Sequence, residues 1–188
     1  MDGDDSAKDS STGNPVVERL LASLKSYYNI NYIQDTDYLV ARCDYFEKSE
    51  SFMVSKKANL WSANAEEFLY LFYVPNLTSE NYDSCMAYVN DSWKGLAHIG
   101  PDHMYTYVTP VFVCDSFEKD ALKKLKKCRI YKSYKFSVHG WMEYHTALVC
   151  TKNDGSEKEP EIFSNGRGRC VKKMLLKVLD IKQVRRSK

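Results

Sequence analysis

The sequence predicts an α+β domain: a largely antiparallel or mixed sheet of about five to six strands, with three to four helices covering one or both faces. Three observations carry this. Apolar residues recur at helical spacing behind capping residues; runs rich in β-branched and aromatic residues lie between them; and the two kinds follow the order α-β-β-β-α-β-α-β-β-α. With 188 residues, 44% of them apolar, the chain is long enough for one core and short for two. Its 28% charged residues, 5 Pro and 8 Gly exclude collagenous and low-complexity classes.

Residues 1–14, polar and rich in Ser, Asp and Gly, are expected to be a disordered leader to a single domain over 15–188. Asn14-Pro15 then starts a helix, with Asn14 as cap and Val16, Val17, Leu20, Leu21 and Leu24 on one face, to about Tyr28. Tyr38 to Phe46 alternates as a strand, the charged 46–51 segment is its turn, and Phe52 to Trp61 is a second strand. The apolar run Glu67 to Val74, stopped by Pro75, is a buried strand. Thr78 or Ser79 caps a helix that carries Tyr82, Met86, Val89 and Trp93 inward and ends at Gly95. His103 to Asp115 is a strand in which Pro110 points to an edge or a bulge. Asp115 or Ser116 caps a basic helix through Cys128, Tyr134 to Thr151 is the longest strand, and Lys152 to Pro160 is a polar turn. Glu161 to Ser164 is a short strand, and Val171, Leu175, Val178 and Leu179 mark a last helix.

Charge and cysteine usage bound the function class. Residues 1–118 hold 8 Lys+Arg against 18 Asp+Glu, whereas 119–188 hold 19 against 7, so a near-neutral chain carries an acidic and a basic half. The six cysteines lie at intervals of 14 to 42 residues with no C-x-x-C pair and are expected to be free thiols, Cys114 and Cys150 acting as small hydrophobes. The acidic N-terminus is no secretory signal, and no window approaches the roughly 18 apolar residues of a membrane span. A cytoplasmic location with no membrane partner is the expectation.

Four groups of residues are candidates for chemistry. On the long strand, His139, Trp141, Glu143 and His145 alternate onto one face, and Glu143 and His145, about 6 to 7 Å apart, can share a metal or a proton. His98 and His103 are the only other histidines available to them. The helix–three strands–helix–strand order is that of a restriction-endonuclease-like core, but the Glu-x-Lys that such metal chemistry requires is missing: Glu67 is followed two residues on by Leu69. No nucleotide-binding, hydrolase-elbow or zinc-protease motif occurs either, and no cofactor is implied. Ser164-Asn165-Gly166-Arg167-Gly168-Arg169 is either an anion pocket ahead of a helix or a tight turn. Lys123, Lys124, Lys126 and Lys127 cluster on one helix, and Arg167 and Arg169 are expected to join them in binding an anion. Finally, Gly140 beside Trp141 means either that the ring packs over the missing side chain or that another backbone comes close; Trp141→Ala costs roughly 3 to 5 kcal/mol if the ring is buried.

The strings His103-Met104-x-Thr106, Lys132-Ser133-Tyr134-Lys135-Phe136, Gly140-Trp141 and Asn165-Gly166-x-Gly168 resemble a bacterial family catalogued as a domain of unknown function, over about residues 15–175. The resemblance implies a small cytoplasmic bacterial domain and brings no catalytic residue with it. The leading expectation is therefore a non-enzymatic binding or regulatory module with an anionic ligand or a protein partner, nucleic acid being possible but less favoured. The alternative is a metal-dependent hydrolase or nuclease-like enzyme built on Glu143 and His145.

Overall fold

A computed structural model describes residues 13–33, 36–52, 59–151 and 159–181. The first helix, α1 (Pro15–Leu24), starts as its sequence dictates: Asn14 Oδ1 accepts from the amides of Val16 at 3.0 Å and Val17 at 3.3 Å. It stops a turn before Tyr28, because β1 (Asn29–Asn31) begins there as an edge strand on β2 (Leu39–Phe52). The β2 strand runs through the charged segment read as a turn and pairs antiparallel with β3 (Asn59–Tyr73), which takes in all of the Glu67–Val74 run but its last residue. Most of the segment read as a separate strand, 53–58, lies outside the described residues.

After the short β4 (Asn76–Leu77), Thr78 Oγ1 accepts from Asn81 N at 3.1 Å and caps α2 (Ser79–Ser92), which ends in a 3-10 turn at Trp93–Gly95. Thr78→Ala is expected to cost about 1 kcal/mol, read as a lower urea midpoint with an unchanged m-value. The helix returns the chain to β5 (His103–Cys114), parallel to β3. Beyond β6 (Ser116–Phe117) comes α3 (Lys119–Lys127). Its N-cap position is Glu118 rather than Asp115 or Ser116; Asp115 instead accepts from Tyr73 and Thr151 hydroxyls. Then follow β7 (Tyr131–Ser133), β8 (Trp141–Tyr144), β9 (Ala147–Cys150), β10 (Glu161–Ser164) and α4 (Arg169–Val178).

Among the described residues the fold is α+β with four helices and a mixed sheet of eight strands, plus a two-stranded sheet of β4 and β6. Eight exceeds the five to six expected: β1 and β7 are unforeseen short edge strands, and the long strand expected over 134–151 is divided, opposite Pro110. Pro110 is not at an edge or a bulge but inside central β5, paired with Tyr70 of β3. On its other side β5 pairs with β8 through Val108↔Tyr144 and with β9 from Val111↔Ala147. The register is continuous, and the ladder opens only opposite the residue that has no N–H to give. One long strand thus becomes β8 and β9, with His145 and Thr146 at the break. Each half then takes its own antiparallel edge: β7 on β8, β10 on β9.

The segment before β8 also departs from the expected strand. Residues 134–140 form a turn in which Lys135, Phe136 and Ser137 have φ of 45°, 54° and 68°, and Phe136 is fully exposed, not core. Gly140, at φ 68°, explains the chain's close return: a Cβ there would lie 2.1 Å from the Met104 carbonyl oxygen. Of the two readings of Gly140-Trp141, the close backbone is the one observed. Trp141 is only half-buried, tilted on Tyr105 at 5.8 Å, so its removal is expected to cost less than the 3 to 5 kcal/mol of a buried ring.

Both faces of the sheet are covered. Tyr82, Cys85 and Val89 of α2, Trp93 of the turn that follows it, and Ala121 and Leu125 of α3 pack on Phe68, Tyr70, Phe72 and Phe112. On the opposite face Val17, Leu20 and Leu24 of α1 and Val171 and Leu175 of α4 pack on Leu69, Leu71, Val111 and Val113. All six cysteines are unpaired; Cys43, Cys85, Cys114 and Cys150 are buried, and Cys170 is exposed. Burial pushes the thiols of Cys43 and Cys85 from 9.0 up to about 12. A thiol whose folded pKa is raised stabilises the fold fully below its unfolded pKa and loses that contribution as pH climbs to the folded one. The urea midpoint should therefore fall between about pH 9 and pH 12, and a midpoint flat across that window would contradict it. At neutral pH iodoacetamide should label Cys170 first, which mass spectrometry of tryptic peptides checks.

Candidate functional site

The break between β8 and β9 is where the candidate side chains gather. Alternation along β8 puts Trp141 and Glu143 on the α1/α4 side of the sheet, and His145 beyond it keeps that direction. His145 Nε2 lies 2.9 Å from Glu143 Oε1, and in the tautomer with a proton on Nε2 it donates there. Arg167 donates to the other carboxylate oxygen at 2.7 Å. Glu143 and His145 are both buried, so the pairing expected from the sequence is present, with the arginine as an unforeseen third member. His139 does not join them: it lies in the 134–140 turn, where its carbonyl oxygen is 2.7 Å from His103 Nδ1.

His98 and His103 also stand elsewhere. They belong to a polar chain on the α2/α3 side, in which buried Glu66 takes the His98 ring nitrogen at 2.8 Å and its amide at 3.2 Å. His103 Nε2 lies 2.7 Å from Thr106 Oγ1, which in turn donates to Glu66 at 3.4 Å. The four histidines are therefore split across the sheet. Among the described residues no three or more His, Cys, Asp or Glu side chains converge as metal ligands.

Arg167 reaches Glu143 because of Asn165. This residue is 2% exposed, and its amide group donates to the carbonyls of Cys128 at 3.0 Å and Tyr144 at 2.9 Å while Oδ1 accepts from Gly168 N at 2.7 Å. The glycine segment is thus a clamped turn that ties α3 and β8 to the start of α4. A Cβ on Gly168 would meet Asn165 Oδ1 at 2.7 Å and the Thr146 carbonyl at 2.9 Å, so the turn cannot carry a larger residue there.

The predicted anion-binding residues separate into three groups. Lys126 and Arg167 line one groove of about 400 Å³, together with Arg129, Tyr131 and Gly166. The Arg167 guanidinium lies 5.9 Å from the Tyr131 ring centroid, and Lys126 Nζ lies 4.5 Å from that of Phe163. Lys123, Lys124 and Lys127 face a different groove of about 640 Å³ between α2 and α3, where Asp83 and Asp120 also stand and Lys124 is paired with Asp83. Arg169 is exposed at the start of α4 and lines neither groove.

A further cavity of about 360 Å³ adjoins the Lys126 groove through Arg167, which lines both. Its walls include Tyr28, Glu67, Tyr107, Glu143, His145 and Cys170. Glu67, Tyr107 and Glu143 are side by side in the sheet register, and the Tyr107 ring stacks between Tyr105 at 4.4 Å and His145 at 4.3 Å. Arg129 is legible in the sequence only as one member of the basic run Lys123 to Lys135, not as a site residue. Tyr28, Tyr107 and Cys170 carry no signal that spacing reveals.

Among the described residues no helix is long and apolar enough to cross a membrane. No curated protein and no solved structure matches the chain. The residues that form the groove, the cavity and the Asn165 clamp all fall within 12–177, over which the chain matches the family described as Domain of unknown function (DUF8052), and to that family it belongs.

Proposed function

We propose that the domain is a binding module for a small anionic ligand, held in the groove of Lys126, Arg129 and Arg167. The observation that carries this reading is the meeting of three cations, Lys126 and Arg129 at the end of α3 and Arg167 from the turn before α4, around about 400 Å³ of open space, with no carboxylate in its lining. A phosphate or carboxylate there takes charge-assisted hydrogen bonds from up to three side chains. The groove on α2 and α3 favours this less, because Asp83 and Asp120 offset its lysines. For the same reason the lysine cluster makes a poor track for duplex nucleic acid. The metal-dependent hydrolase reading is also weakened, since both Glu143 oxygens are engaged, one by His145 and one by Arg167.

Titration calorimetry with inorganic pyrophosphate at about 50 mM salt, where phosphate contacts are strong, tests the reading. Lys126→Gln and Arg129→Gln should each weaken binding about tenfold or more, whereas Lys123→Gln and Lys127→Gln should leave it within about twofold. Glu143→Gln should tighten it several-fold, because the charge that Arg167 now neutralises is gone. Equal losses from the two lysine groups would argue against the assigned groove.

A further inference from the structure

Glu143 and Glu67 border the same cavity but differ in one respect. The charge of Glu143 is met by Arg167, whereas Glu67 accepts only from neutral hydroxyls: Tyr28 at 2.8 Å on Oε2 and Thr109 at 2.7 Å on Oε1. Among the described residues no Lys, Arg or His is bonded to it. Its charge is felt nearby. Burial and then the Glu67 carboxylate push the Tyr28 hydroxyl far up; Tyr105 and Tyr107 are raised chiefly by burial, with Glu67 a minor contribution in the same direction. The cavity lining sets two carboxylates, Glu67 and Glu143, against the single guanidinium of Arg167, beside a groove lined by cations without a carboxylate.

The acceptors around Glu67 suit one kind of group. An ammonium has three donors and no acceptor. Glu67 keeps lone pairs beyond the two that bind hydroxyls, and the phenolic oxygens of Tyr28 and Tyr107 can each accept as well. Tyr107 is the register neighbour of Glu67 and so stands within one strand spacing of it. Across the sheet Glu67, Tyr107 and Glu143 occupy three adjacent lanes, which places Glu67 on the order of 10 Å from Glu143, the residue that holds Arg167.

We propose that the ligand is a zwitterion, with its ammonium seated on Glu67 between Tyr28 and Tyr107 and its anionic group held across Arg167 by Lys126 and Arg129. This rests on the anion-binding reading above and adds the class of ligand to it. A short linear linker joins the two charges, because Arg167 stands at the boundary between cavity and groove.

The test uses ω-aminoalkyl phosphates of two to six carbons, with alkyl phosphates of the same lengths and inorganic phosphate as controls. Binding is read by calorimetry and by protection of Cys170, which lines the cavity, from iodoacetamide. At one chain length the amine should tighten binding at least tenfold over the matching alkyl phosphate and slow Cys170 labelling. Glu67→Gln should abolish that gain while leaving the affinity for inorganic phosphate within about twofold, which also shows that the variant is folded. Tyr107→Phe, which keeps the ring stack, should remove part of the gain. Equal affinity of aminoalkyl and alkyl phosphates at every length overturns the zwitterion and leaves the anion site standing. Failure of every phosphate to bind overturns the anion site and the zwitterion with it.

Discussion

Replacing Gly140 by alanine should destabilise the protein by about 4 kcal/mol or more, the largest effect expected of any single methyl group in the chain. Two independent causes act together. The backbone is in the left-handed region at φ 68°, which a side chain rarely adopts, and the new Cβ would fall 2.1 Å from a carbonyl oxygen, 2.6 Å from its carbon and 2.7 Å from the preceding carbonyl oxygen. Those atoms are backbone of β5 at Met104 and His103, so no rotamer change relieves the overlap. The start of β8 would have to move off the central strand. Gly95→Ala is the control, since a Cβ there meets nothing within 4 Å and needs no left-handed conformation. Urea denaturation of the two variants side by side checks the claim; similar midpoints would mean that β8 does not approach β5 as described.

Asn165→Ala comes next, with an expected cost of about 3 kcal/mol or more. It strips partners from two carbonyls and one amide, and a buried polar group left unpaired costs about 1 to 3 kcal/mol. It should also lower the affinity for pyrophosphate about tenfold, because Arg167 sits two residues further along the turn that Asn165 fixes. Asn165→Asp separates the parts of this role. It keeps an oxygen for Gly168 N but turns a second oxygen toward the carbonyls of Cys128 and Tyr144, so it should be no more stable than the alanine variant. A stable Asn165→Asp protein would show that the clamp rests on the Gly168 contact alone.

Features governed by near neighbours in the chain were legible in the sequence. Asn14-Pro15 caps its helix as read and Thr78, one of the two residues expected, caps α2; the apolar stripes of the helices face the sheet, and Cys114 and Cys150 are buried among strands. The alternation that brings Glu143 and His145 together was legible for the same reason: two residues apart on a strand is a local relation. What was not legible depends on register between distant segments. Nothing near Glu143 in sequence announces Arg167, and nothing near Glu67 announces Tyr28, 39 residues earlier. The break after Tyr144 did leave a trace, but on another strand: Pro110 cannot donate, so a central position for it requires an interrupted partner. Read without the pairing, the same proline points to an edge. The strand expected from Tyr134 onward fails for the converse reason: the chain turns left-handed at Lys135–Ser137 and leaves the Phe136 ring in solvent.

Which surface receives the anion is the central question, and a ¹H–¹⁵N correlation spectrum titrated with inorganic pyrophosphate at low salt answers it residue by residue. The expected result is saturable shifts at the amides of Arg129, Tyr131, Gly166 and Arg167, together with the side-chain signals of Arg129 and Arg167. Amides of Lys123, Lys124 and Lys127 should stay in place. Shifts confined to those three lysines and the facing Asp83 would move the site to the other groove, and a spectrum unchanged to millimolar pyrophosphate would contradict an anion site altogether.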